Sequence, residues 1–440
     1  MRIYLESLGC ARNQVDSEIM QSQLRDAGCL FTEEADQADV IIVNTCSFIE
    51  SAADESIDTI LALLAYKKKG SCRRLIVTGC LPQRHGNESA RALPEVDLFL
   101  GTGAYGQITA AVLGDMVAGT CLLPDPDAID VSRPVLRTPF LSHSAYIKIA
   151  EGCSRHCTYC IIPKLRGHQK SRPPEAIVEE ARALIVGGVK ELTLVAQETT
   201  AYGHDIHLQN GLAGLLETLA SLNDTVWIRF LYGHPQSLRP SVLATVARFS
   251  NLCPYFDIPI QHASTAVLQR MGRHYTTDDL LRLCDTIRAK VPDAVLRTTV
   301  LLGFPGETEN DFEQLFQFVD RVGFDHLGAF AYSDADDLPS HGLADHVDKA
   351  VADQRVEDLM LHQIGISARN LKRYLGRRLD VLVEGGTEEG AWKGRTRFQA
   401  PEVDGQVLVR AGDSTVLKPG TIIPVRIVET MEYDLVAEPL

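Results

Sequence analysis

The N-terminal quarter of the chain alternates short apolar runs with segments of helical periodicity. The apolar runs lie at 2–8, 39–44, 74–78 and near 97–100, and the helical patterns cover about 15–27 and 49–68. Strands that alternate with helices are joined by right-handed crossovers, so this part of the chain is predicted to form a parallel sheet. In such sheets, ligands bind just beyond the carboxyl ends of the strands.

The middle of the chain repeats a strand followed by a helix six times. The strand-like runs are YIKIA, ELTLVA, VWIRFLY, YFDIPI, RTTVLLG and HLGAFAY. These units carry no Rossmann glycine fingerprint, so we predict a barrel or partial barrel with its site at the carboxyl ends of the strands. A long helical segment at about 348–375 closes this region.

After Arg378 the pattern changes to alternating strands, among them LDVLVEG, GRTRFQAPEV and GQVLVR, separated by turns. This pattern predicts a small β-barrel. The predicted fold class is therefore multidomain α/β, with an N-terminal parallel-sheet domain, a central partial (β/α)6 barrel and a C-terminal β-barrel. The predicted boundaries are 1–118 for the first domain, 119–138 for a linker rich in Pro and Asp, 139–372 for the barrel and 373–440 for the last module.

At 440 residues the chain is too long for one compact core, so two or three domains are expected. No apolar run approaches the roughly 20 residues that span a bilayer, and MRIYLESLGC begins directly with a strand-like run. We therefore predict a cytoplasmic protein without a signal peptide or membrane association. Its eleven cysteines are then more typical of metal or redox chemistry than of disulfides.

The net charge of −15 disfavours direct binding of nucleic acid, whose affinity comes largely from basic residues on phosphates. An acidic surface instead attracts a basic partner. Residues 379–440 hold eleven acidic side chains against six Lys or Arg, a balance of −5. A solvated surface without any partner would have the same composition, so charge alone leaves both interpretations open.

A cysteine triplet follows the first strand of the barrel region, in EGCSRHCTYC. Cys153, Cys157 and Cys160 have a C-x3-C-x2-C spacing, so three thiolates on one tight loop can face a common centre. Thiolate-only sites select iron–sulfur clusters or zinc. Structural zinc sites use four ligands and favour two C-x2-C pairs, which this loop does not offer. We therefore predict an iron–sulfur cluster with one iron left open.

This spacing, with Tyr159 before the third cysteine, resembles the radical S-adenosylmethionine (SAM) superfamily. The resemblance implies a [4Fe–4S] cluster whose open iron holds SAM, while the protein positions the reacting groups and excludes side reactions. LVAQET at the second strand end and LLGFPGET at the fifth also resemble SAM-contacting segments of that superfamily. The SAM contacts expected from the resemblance are Tyr159, Gln197, Glu198, Gln261, Gly303, Pro305 and Gly306.

Three further cysteines end strand-like runs of the N-terminal domain: Cys10 in SLGC, Cys46 in VNTC and Cys80 in VTGC. Intervals of 36 and 34 residues correspond to one βαβ repeat each, so adjacent parallel strands would set the three thiols side by side. Such cysteines are either small buried hydrophobes or ligands. The other five share no pattern and are predicted to be structural: Cys29, Cys72, Cys121, Cys253 and Cys284.

The segments SLGCARNQVDSE, VNTCSFIESA, VTGCLPQR and EGCSRHCTYCIIPKLRGHQKSRP resemble the methylthiotransferase family, and the last module resembles a TRAM domain. The resemblance implies a second [4Fe–4S] cluster on Cys10, Cys46 and Cys80. It also implies one SAM for radical hydrogen abstraction, a second SAM that methylates sulfur held at the N-terminal cluster, and a low-potential electron donor. Asn13 and Asn44 either support this cluster through hydrogen bonds or cap their loops. The radical step needs no general base, and no catalytic side chain is assigned.

Two segments favour one branch of this family. IPIQHAST, with Gln261 and His262, and APEVDG resemble the branch that modifies an aspartate of a small-subunit ribosomal protein, the RimO type. The expected partner is then that basic ribosomal protein or the assembled small subunit. After HLGAFAYS, however, DADDLPSHGLADHV departs from the usual sequence of this branch, which leaves the substrate contacts of 333–347 open.

Two other functions stay open at this point. A related branch of the family methylthiolates a modified adenosine in tRNA by the same mechanism. From a different class, a non-catalytic iron–sulfur protein would carry electrons or sense redox state, although that role does not explain a three-cysteine cluster site on a six-unit barrel.

Overall fold

The computed structural model describes residues 1–114, 116–132, 135–387, 390–410 and 417–440. Within these ranges, none of the helices combines the length and the apolar character needed to cross a membrane. The elements of the N-terminal part are β1 (Arg2–Ser7), α1 (Ala11–Asp26), β2 (Leu30–Phe31), β3 (Val40–Thr45), α2 (Glu50–Lys69), β4 (Arg74–Gly79), α3 (Cys80–His85), α4 (Asn87–Ala92), β5 (Leu98–Gly101), α5 (Ile108–Leu113) and β6 (Thr120–Leu122). The strands form one parallel sheet in the order β2-β1-β3-β4-β5-β6, which confirms the predicted parallel sheet.

Two boundaries of this domain differ from the predicted ones. Helix α1 begins at Ala11, directly after Cys10, because the polar side chains that follow find partners in other parts of the fold. Strand β6 lies inside the segment 119–138 that we predicted as linker, and it pairs with β5 through Phe99 and Cys121. A three-residue strand is too short for a recognisable alternation. Positions 133–134 of the predicted linker lie outside the described residues.

The central part contains β7 (Ser144–Lys148), β8 (Ala150–Glu151), α6 (Ile162–Arg166), β9 (Lys170–Ser171), α7 (Pro174–Val186), β10 (Glu191–Val195), α8 (Gly211–Ala220), β11 (Trp227–Phe230), α9 (Pro240–Arg248), β12 (Tyr255–Asp257), α10 (Thr265–Arg270), α11 (Thr277–Lys290), β13 (Val295–Leu302), α12 (Glu309–Val322), β14 (His326–Ala331) and α13 (Lys349–Leu371). Two parallel three-stranded sheets, β7-β10-β11 and β12-β13-β14, continue into one another through a bridge between Ile228 and Leu252. Six strands in chain order confirm the predicted partial (β/α)6 barrel.

The C-terminal strands are β15 (Arg378–Gly386), β16 (Trp392–Arg395), β17 (Val407–Val409), β18 (Ile422–Thr430) and β19 (Leu435–Pro439), and they close a barrel in the order β15-β16-β17-β19-β18. The predicted small β-barrel is therefore confirmed. The prediction of a strand through GRTRFQAPEV is wrong after Arg395. The chain turns there, because the Thr396 N–H donates to Gln399 Oε1 at 3.1 Å instead of extending the ladder.

This β-barrel docks at the amino ends of the central strands, opposite the cysteine triplet. Arg395 pairs with Glu191 at 2.5 Å, and Asp404 accepts a hydrogen bond of 2.5 Å from the Tyr255 hydroxyl. Asp404, one of the eleven acidic residues of 379–440, therefore contacts the barrel rather than a partner. Glu388, Glu389 and Asp413, which also belong to these eleven, lie outside the described residues.

Candidate functional site

The three N-terminal cysteines follow three adjacent strands. Strand β3 lies between β1 and β4, with Asn44 in register with Ser7 on one side and with Thr78 on the other. Cys10 is the N-cap of α1, and Cys80 is the first residue of α3. The carboxyl ends of these parallel strands therefore bring the three cysteines to one edge of the sheet, as the 36- and 34-residue intervals suggested.

Glycines allow the cysteine loops to approach closely. A Cβ atom placed on Gly9, whose φ is +91°, would lie 2.7 Å from Cys46 Cβ. A Cβ on Gly79, at φ +100°, would lie 2.6 Å from the Thr45 carbonyl oxygen. Both distances are too short for any larger residue, so the glycine before Cys10 and the glycine before Cys80 are required by this packing.

Hydrogen bonds fix the backbone around the same loops. The Cys46 N–H donates to Ser56 Oγ at 3.1 Å, and this hydroxyl donates back to the Cys46 carbonyl at 2.8 Å. Buried Asn13 donates to the Leu8 carbonyl at 3.1 Å and to the Thr45 carbonyl at 2.8 Å. Asn44 in turn donates to the Asn13 carbonyl at 2.9 Å. Both asparagines therefore tie the cysteine loops together through the backbone.

Two arginines that the sequence did not single out lie beside these thiols. Arg12 Nε donates to Cys10 Sγ at 3.4 Å, and Arg166 Nη2 lies 3.7 Å from Cys80 Sγ. Burial raises the pKa of Cys10, but the charge and hydrogen bond of Arg12 outweigh burial and lower it to about 7. Burial, followed by the charge of Cys80, raises the pKa of Cys46 to about 11. The geometry brings these cysteines to one place: Cys46 Sγ lies 3.2 Å from a Cβ placed on Gly9, next to Cys10, and Cys80 Sγ lies 4.0 Å from Asn13 Oδ1.

The donor set of this pocket fits an iron–sulfur cluster. Cys10, Cys46 and Cys80 are all free thiols, and thiolates are the ligands that such clusters use. Among the described residues, no three Cys, His, Asp or Glu side chains are arranged to hold a single metal ion. Each cysteine of a cluster binds a different iron, so a cluster does not require the three thiols to meet at a single metal ion.

The barrel triplet lies on the loop after β8. The Cys153 N–H donates to the Gly167 carbonyl at 3.0 Å, and the Cys160 N–H donates to the Cys157 carbonyl at 3.1 Å, which curls the loop into a turn. A Cβ on Gly152 would lie 2.1 Å from the His168 carbonyl oxygen, so only glycine fits before Cys153. Burial is the main reason that the pKa of Cys153 rises to about 11 and that of Cys160 to about 12.

Tyr159 anchors this loop to the far side of the barrel. Its ring packs edge-on against Phe304, with 6.3 Å between centroids, and its hydroxyl accepts a hydrogen bond of 2.9 Å from Arg273 Nε. Phe304 is fully buried and also packs edge-on against Tyr332. Three aromatic rings thus connect the cysteine loop with the turn after β13.

Glu198 and Gln197 lie at the carboxyl end of β10, close to the triplet. Glu198 forms a two-point ion pair with Arg155, with both contacts at 2.8 Å. Gln197 Nε2 donates to Glu151 Oε1 at 2.8 Å, whereas its buried Oε1 has no hydrogen-bond partner within the described part of the chain. An unpartnered buried acceptor beside the triplet fits a ligand that carries a donor, such as the amino group of SAM.

The remaining predicted SAM contacts have structural roles of their own. Gln261, at φ +69°, pairs with β13 through the Thr299 carbonyl and the Leu301 N–H. A Cβ on Gly303 would lie 2.3 Å from Ala352 Cβ. Pro305 and Gly306 pack around one guanidinium, since Arg270 Nε donates to the Pro305 carbonyl at 2.8 Å and Arg270 Cζ lies 2.4 Å from a Cβ placed on Gly306. Contact of these residues with SAM stays a prediction.

His262, which resembled the ribosomal-protein branch, belongs to the core. Its side chain is fully buried, and Nδ1 accepts a hydrogen bond of 2.9 Å from the Ser264 N–H. Burial lowers the pKa of His262 to about 3, so the ring is neutral at physiological pH. In this structure His262 therefore has a role in packing the core, which is enough to account for a histidine at this position.

Arg12 links the N-terminal cysteine pocket to the mouth of the barrel. Its Nη1 donates to the Ala196 carbonyl at 3.2 Å, and its guanidinium carbon lies 4.4 Å from the centroid of the Tyr232 ring. Ala196 and Tyr232 follow β10 and β11, so the N-terminal cysteine pocket faces the mouth of the barrel. The sequence offered only weak signals for the two arginines: Arg12 follows a cysteine, and Arg166 lies in a basic stretch common to both substrate branches.

The atypical segment 333–347 reaches from β14 to the N-terminal domain. Asp337 forms a two-point ion pair with Arg84, at 2.9 and 2.6 Å, and Arg84 also donates to the Ser47 carbonyl at 2.7 Å. Leu338 packs with Cys80 and with Ile161 of the barrel loop. This segment therefore bridges the two cysteine-bearing regions.

Comparison with known proteins follows this architecture. The model described as uncharacterized protein family UPF0004 matches residues 2–101, the radical SAM superfamily model matches 147–319, and the TRAM domain model matches 375–440. A ribosomal protein uS12 methylthiotransferase RimO from Desulfosudis oleivorans is 53% identical over 444 residues, covering 100% of both chains. The chain belongs to the RimO family. A relative of the same name from Clostridioides difficile is 45% identical over 445 residues, covering 100% of this chain and 99% of that one.

As a member of the RimO family with a radical SAM domain, this chain is a radical SAM methylthiotransferase that uses SAM and an iron–sulfur cluster. Membership of this family excludes the non-catalytic electron carrier. Solved structures share the fold at low identity. The radical SAM methyltransferase TsrM from Kitasatospora setae, solved with cobalamin and a [4Fe–4S] cluster, aligns with a TM-score of 0.57 at 13% identity, over 75% of this chain and 74% of that one. The cobalamin-dependent SAM radical enzyme OxsB aligns with a TM-score of 0.53 at 14% identity, over 83% and 57%.

Proposed function

We propose that this RimO-family enzyme adds a methylthio group to the β-carbon of an aspartate in ribosomal protein uS12, with two [4Fe–4S] clusters. The observation that carries the proposal is the pair of cysteine triplets, one at the edge of the N-terminal sheet and one at the barrel mouth, with Arg12 linking Cys10 to the Ala196 carbonyl at that mouth. The names of the relatives support the choice of uS12.

In this proposal Cys10, Cys46 and Cys80 hold one cluster, and the barrel triplet holds the other. The residues that would contact SAM at the barrel are Tyr159, Gln197, Glu198, Gln261, Gly303, Pro305 and Gly306. When bound, one SAM supplies radical hydrogen abstraction and a second supplies the methyl group for sulfur held at the N-terminal site. A low-potential electron donor completes the system.

The protein's own residues position these groups and exclude water. Gln197 is oriented by its hydrogen bond to Glu151, and its buried Oε1, at the carboxyl end of β10, has no hydrogen-bond partner within the described residues. The side chains between the two sites are buried, among them Asn13, Glu151 and Arg166. The aspartate of the substrate would enter between the N-terminal pocket and the barrel mouth, where a dry, rigid site protects a reactive radical.

The rim of this entrance suits a basic protein better than RNA. Arg84 contacts both the Ser47 carbonyl and Asp337, so the start of α2 and the segment 333–347 lie side by side. Exposed acidic residues occur on both: Glu50, Asp54 and Glu55 at the start of α2, and Asp334, Asp336 and Asp345 on the segment. Acidic surfaces attract basic ribosomal proteins and repel phosphates. Modification of a ribosomal protein would take place in the cytoplasm.

The test is anaerobic reconstitution with iron, sulfide, SAM and a reductant, with small ribosomal subunits and tRNA offered in parallel. We expect a methylthio mass increment on a uS12 peptide and none on tRNA nucleosides. An increment on tRNA alone would replace this substrate with the modified adenosine.

Cysteine variants test which triplet is needed for SAM cleavage and which is needed for methylthiolation. Cys153→Ala is expected to abolish SAM cleavage, whereas Cys46→Ala is expected to retain abortive SAM cleavage without methylthiolated product. Cys72→Ala, a buried cysteine away from both triplets, is the matched control and should keep both activities. Methylthiolation by a Cys46→Ala enzyme with verified loss of the N-terminal cluster would contradict the two-cluster assignment.

A further inference from the structure

Four charged side chains form a closed group between α1 and the start of the barrel. Asp16, Lys148, Glu151 and Arg166 are each at most 5% exposed. Lys148 donates to Asp16 and, at 2.6 Å, to Glu151. Arg166 Nη1 contacts the same two carboxylates, at 2.8 Å for Asp16 and 3.3 Å for Glu151. Two positive and two negative charges compensate each other, which makes their burial tolerable.

Arg166 connects this group to both cofactor sites. Its Nη2 donates to Asn13 Oδ1 at 2.7 Å and lies 3.7 Å from Cys80 Sγ. Its partner Glu151 accepts the hydrogen bond of Gln197 at 2.8 Å. One guanidinium thus links a predicted ligand of the N-terminal cluster to a predicted SAM contact.

The barrel triplet has a different electrostatic environment. Arg155 is paired at two points with Glu198, and Arg273 donates to the hydroxyl groups of Tyr159 and Tyr275. Across the described residues, no guanidinium donates to a sulfur of the barrel triplet, whereas Arg12 and Arg166 both contact sulfur in the N-terminal pocket.

We propose that Arg166 is a positioning residue that orients the Cys80 thiolate, makes the N-terminal cluster easier to reduce, and ties its position to the SAM side of the barrel. One-electron reduction adds a negative charge to a cluster, and hydrogen bonds to its sulfurs together with nearby positive charge favour the reduced state. In a buried site this interaction is poorly screened. The inference rests on the proposed function, because it requires a cluster on the N-terminal triplet.

The experiment uses the full chain with Cys153, Cys157 and Cys160 replaced by Ala, so that only the N-terminal cluster is measured. After anaerobic reconstitution, its one-electron reduction potential is determined by titration with dithionite, followed by electron paramagnetic resonance. Arg166→Gln is expected to lower the equilibrium constant for reduction at least tenfold, a shift of about 59 mV to lower potential. Arg166→Lys, which keeps the charge, should shift it less.

Two further variants separate this effect from misfolding. Glu151→Gln combined with Arg166→Gln leaves Asp16 and Lys148 as a balanced pair; it should shift the potential in the same direction but by less, because a negative charge is lost together with the positive one. Arg229→Gln is the matched control, because Arg229 is a buried arginine that pairs with Glu191 at 2.6 Å at the other end of the barrel. Its potential should equal that of the parent chain.

Each outcome decides between the possibilities. A parent chain that holds no cluster contradicts the two-cluster function itself. If the Arg166→Gln variant and the double variant both bind the cluster and both keep the parent potential, the proposed role of Arg166 is overturned, while the two-cluster function stands. If Arg166→Gln does not bind the cluster, the proposal is supported when Arg166→Lys binds it with a potential near that of the parent chain. If Arg166→Lys and the double variant also fail to bind the cluster, Arg166 has a purely structural role and the proposal is overturned.

Discussion

Gly303 is a predicted SAM contact and is also tightly packed against α13. A Cβ on Gly303 would lie 2.3 Å from Ala352 Cβ on α13, and its φ is +73°. Gly303→Ala must therefore push α13 away from the end of β13 and also place alanine in a left-handed conformation. The first effect costs about 1–3 kcal/mol and the second about 1–2 kcal/mol. We expect the free energy of unfolding to fall by about 2–5 kcal/mol.

A double variant isolates the steric part of this cost. Ala352→Gly removes the clashing methyl group at a cost of about 1 kcal/mol in helix stability. Combined with Gly303→Ala, it leaves the Cα of residue 352 at 3.2 Å as the closest of the remaining contacts, with Val347 Cγ1 at 3.8 Å. The double variant should then be more stable than the sum of the single effects by about 1–3 kcal/mol. Gly365→Ala, on the same helix with open space around it, is the control and should be neutral or slightly stabilising.

The assay is urea unfolding followed by circular dichroism, with SAM affinity measured on the reconstituted chain by equilibrium dialysis. A coupling energy below about 0.5 kcal/mol would refute the steric reasoning. SAM affinity decides the second question. If Gly303 only packs against α13, affinity returns together with stability in the double variant. If Gly303 contacts SAM, affinity stays low although stability returns.

Two other predictions follow from buried polar contacts. Asp337→Asn removes the ion pair with Arg84, whose partners are mostly buried, so unfolding should become easier by about 1–3 kcal/mol. Hydrogen exchange across 333–347 should rise as well. The control is Asp336→Asn, because Asp336 is an exposed neighbour without an ion pair among the described residues. An equal rise of exchange in this control would show that the ion pair of Asp337 does not hold the segment in place. His262 stays neutral in the fold down to a pKa of about 3, whereas the unfolded chain protonates it below pH 6.5. Stability should therefore fall as pH drops below 6.5, by about 1.4 kcal/mol per pH unit from this group. The free energy of unfolding, measured at a series of pH values between 7 and 5, should depend on pH less steeply in His262→Gln, by up to the slope that one proton contributes. An unchanged slope would refute the assignment of His262 as a neutral buried ring.

The fold class and the two cysteine triplets could be predicted from the sequence alone. Strands such as Val40–Thr45 are buried along their whole length, and a continuous run of β-branched residues predicts such a strand without knowledge of its neighbours. The C-x3-C-x2-C loop is equally local, since its three thiols are held by a turn of eight residues. Even the meeting of Cys10, Cys46 and Cys80 was predictable, because parallel strands place their carboxyl ends at one edge.

Which residues surround those thiols becomes apparent only in three dimensions. Arg166 of the barrel reaches across to the sulfur of Cys80 in the N-terminal domain, whereas Arg12 contacts Cys10 within its own domain and reaches across only to the Ala196 carbonyl. Asp404 appeared to add to an acidic face but instead docks the last module on Tyr255. Periodicity encodes which face of an element is buried, but it does not encode the partner of a buried charge, which can lie on a distant element, as Asp16 does for Arg166.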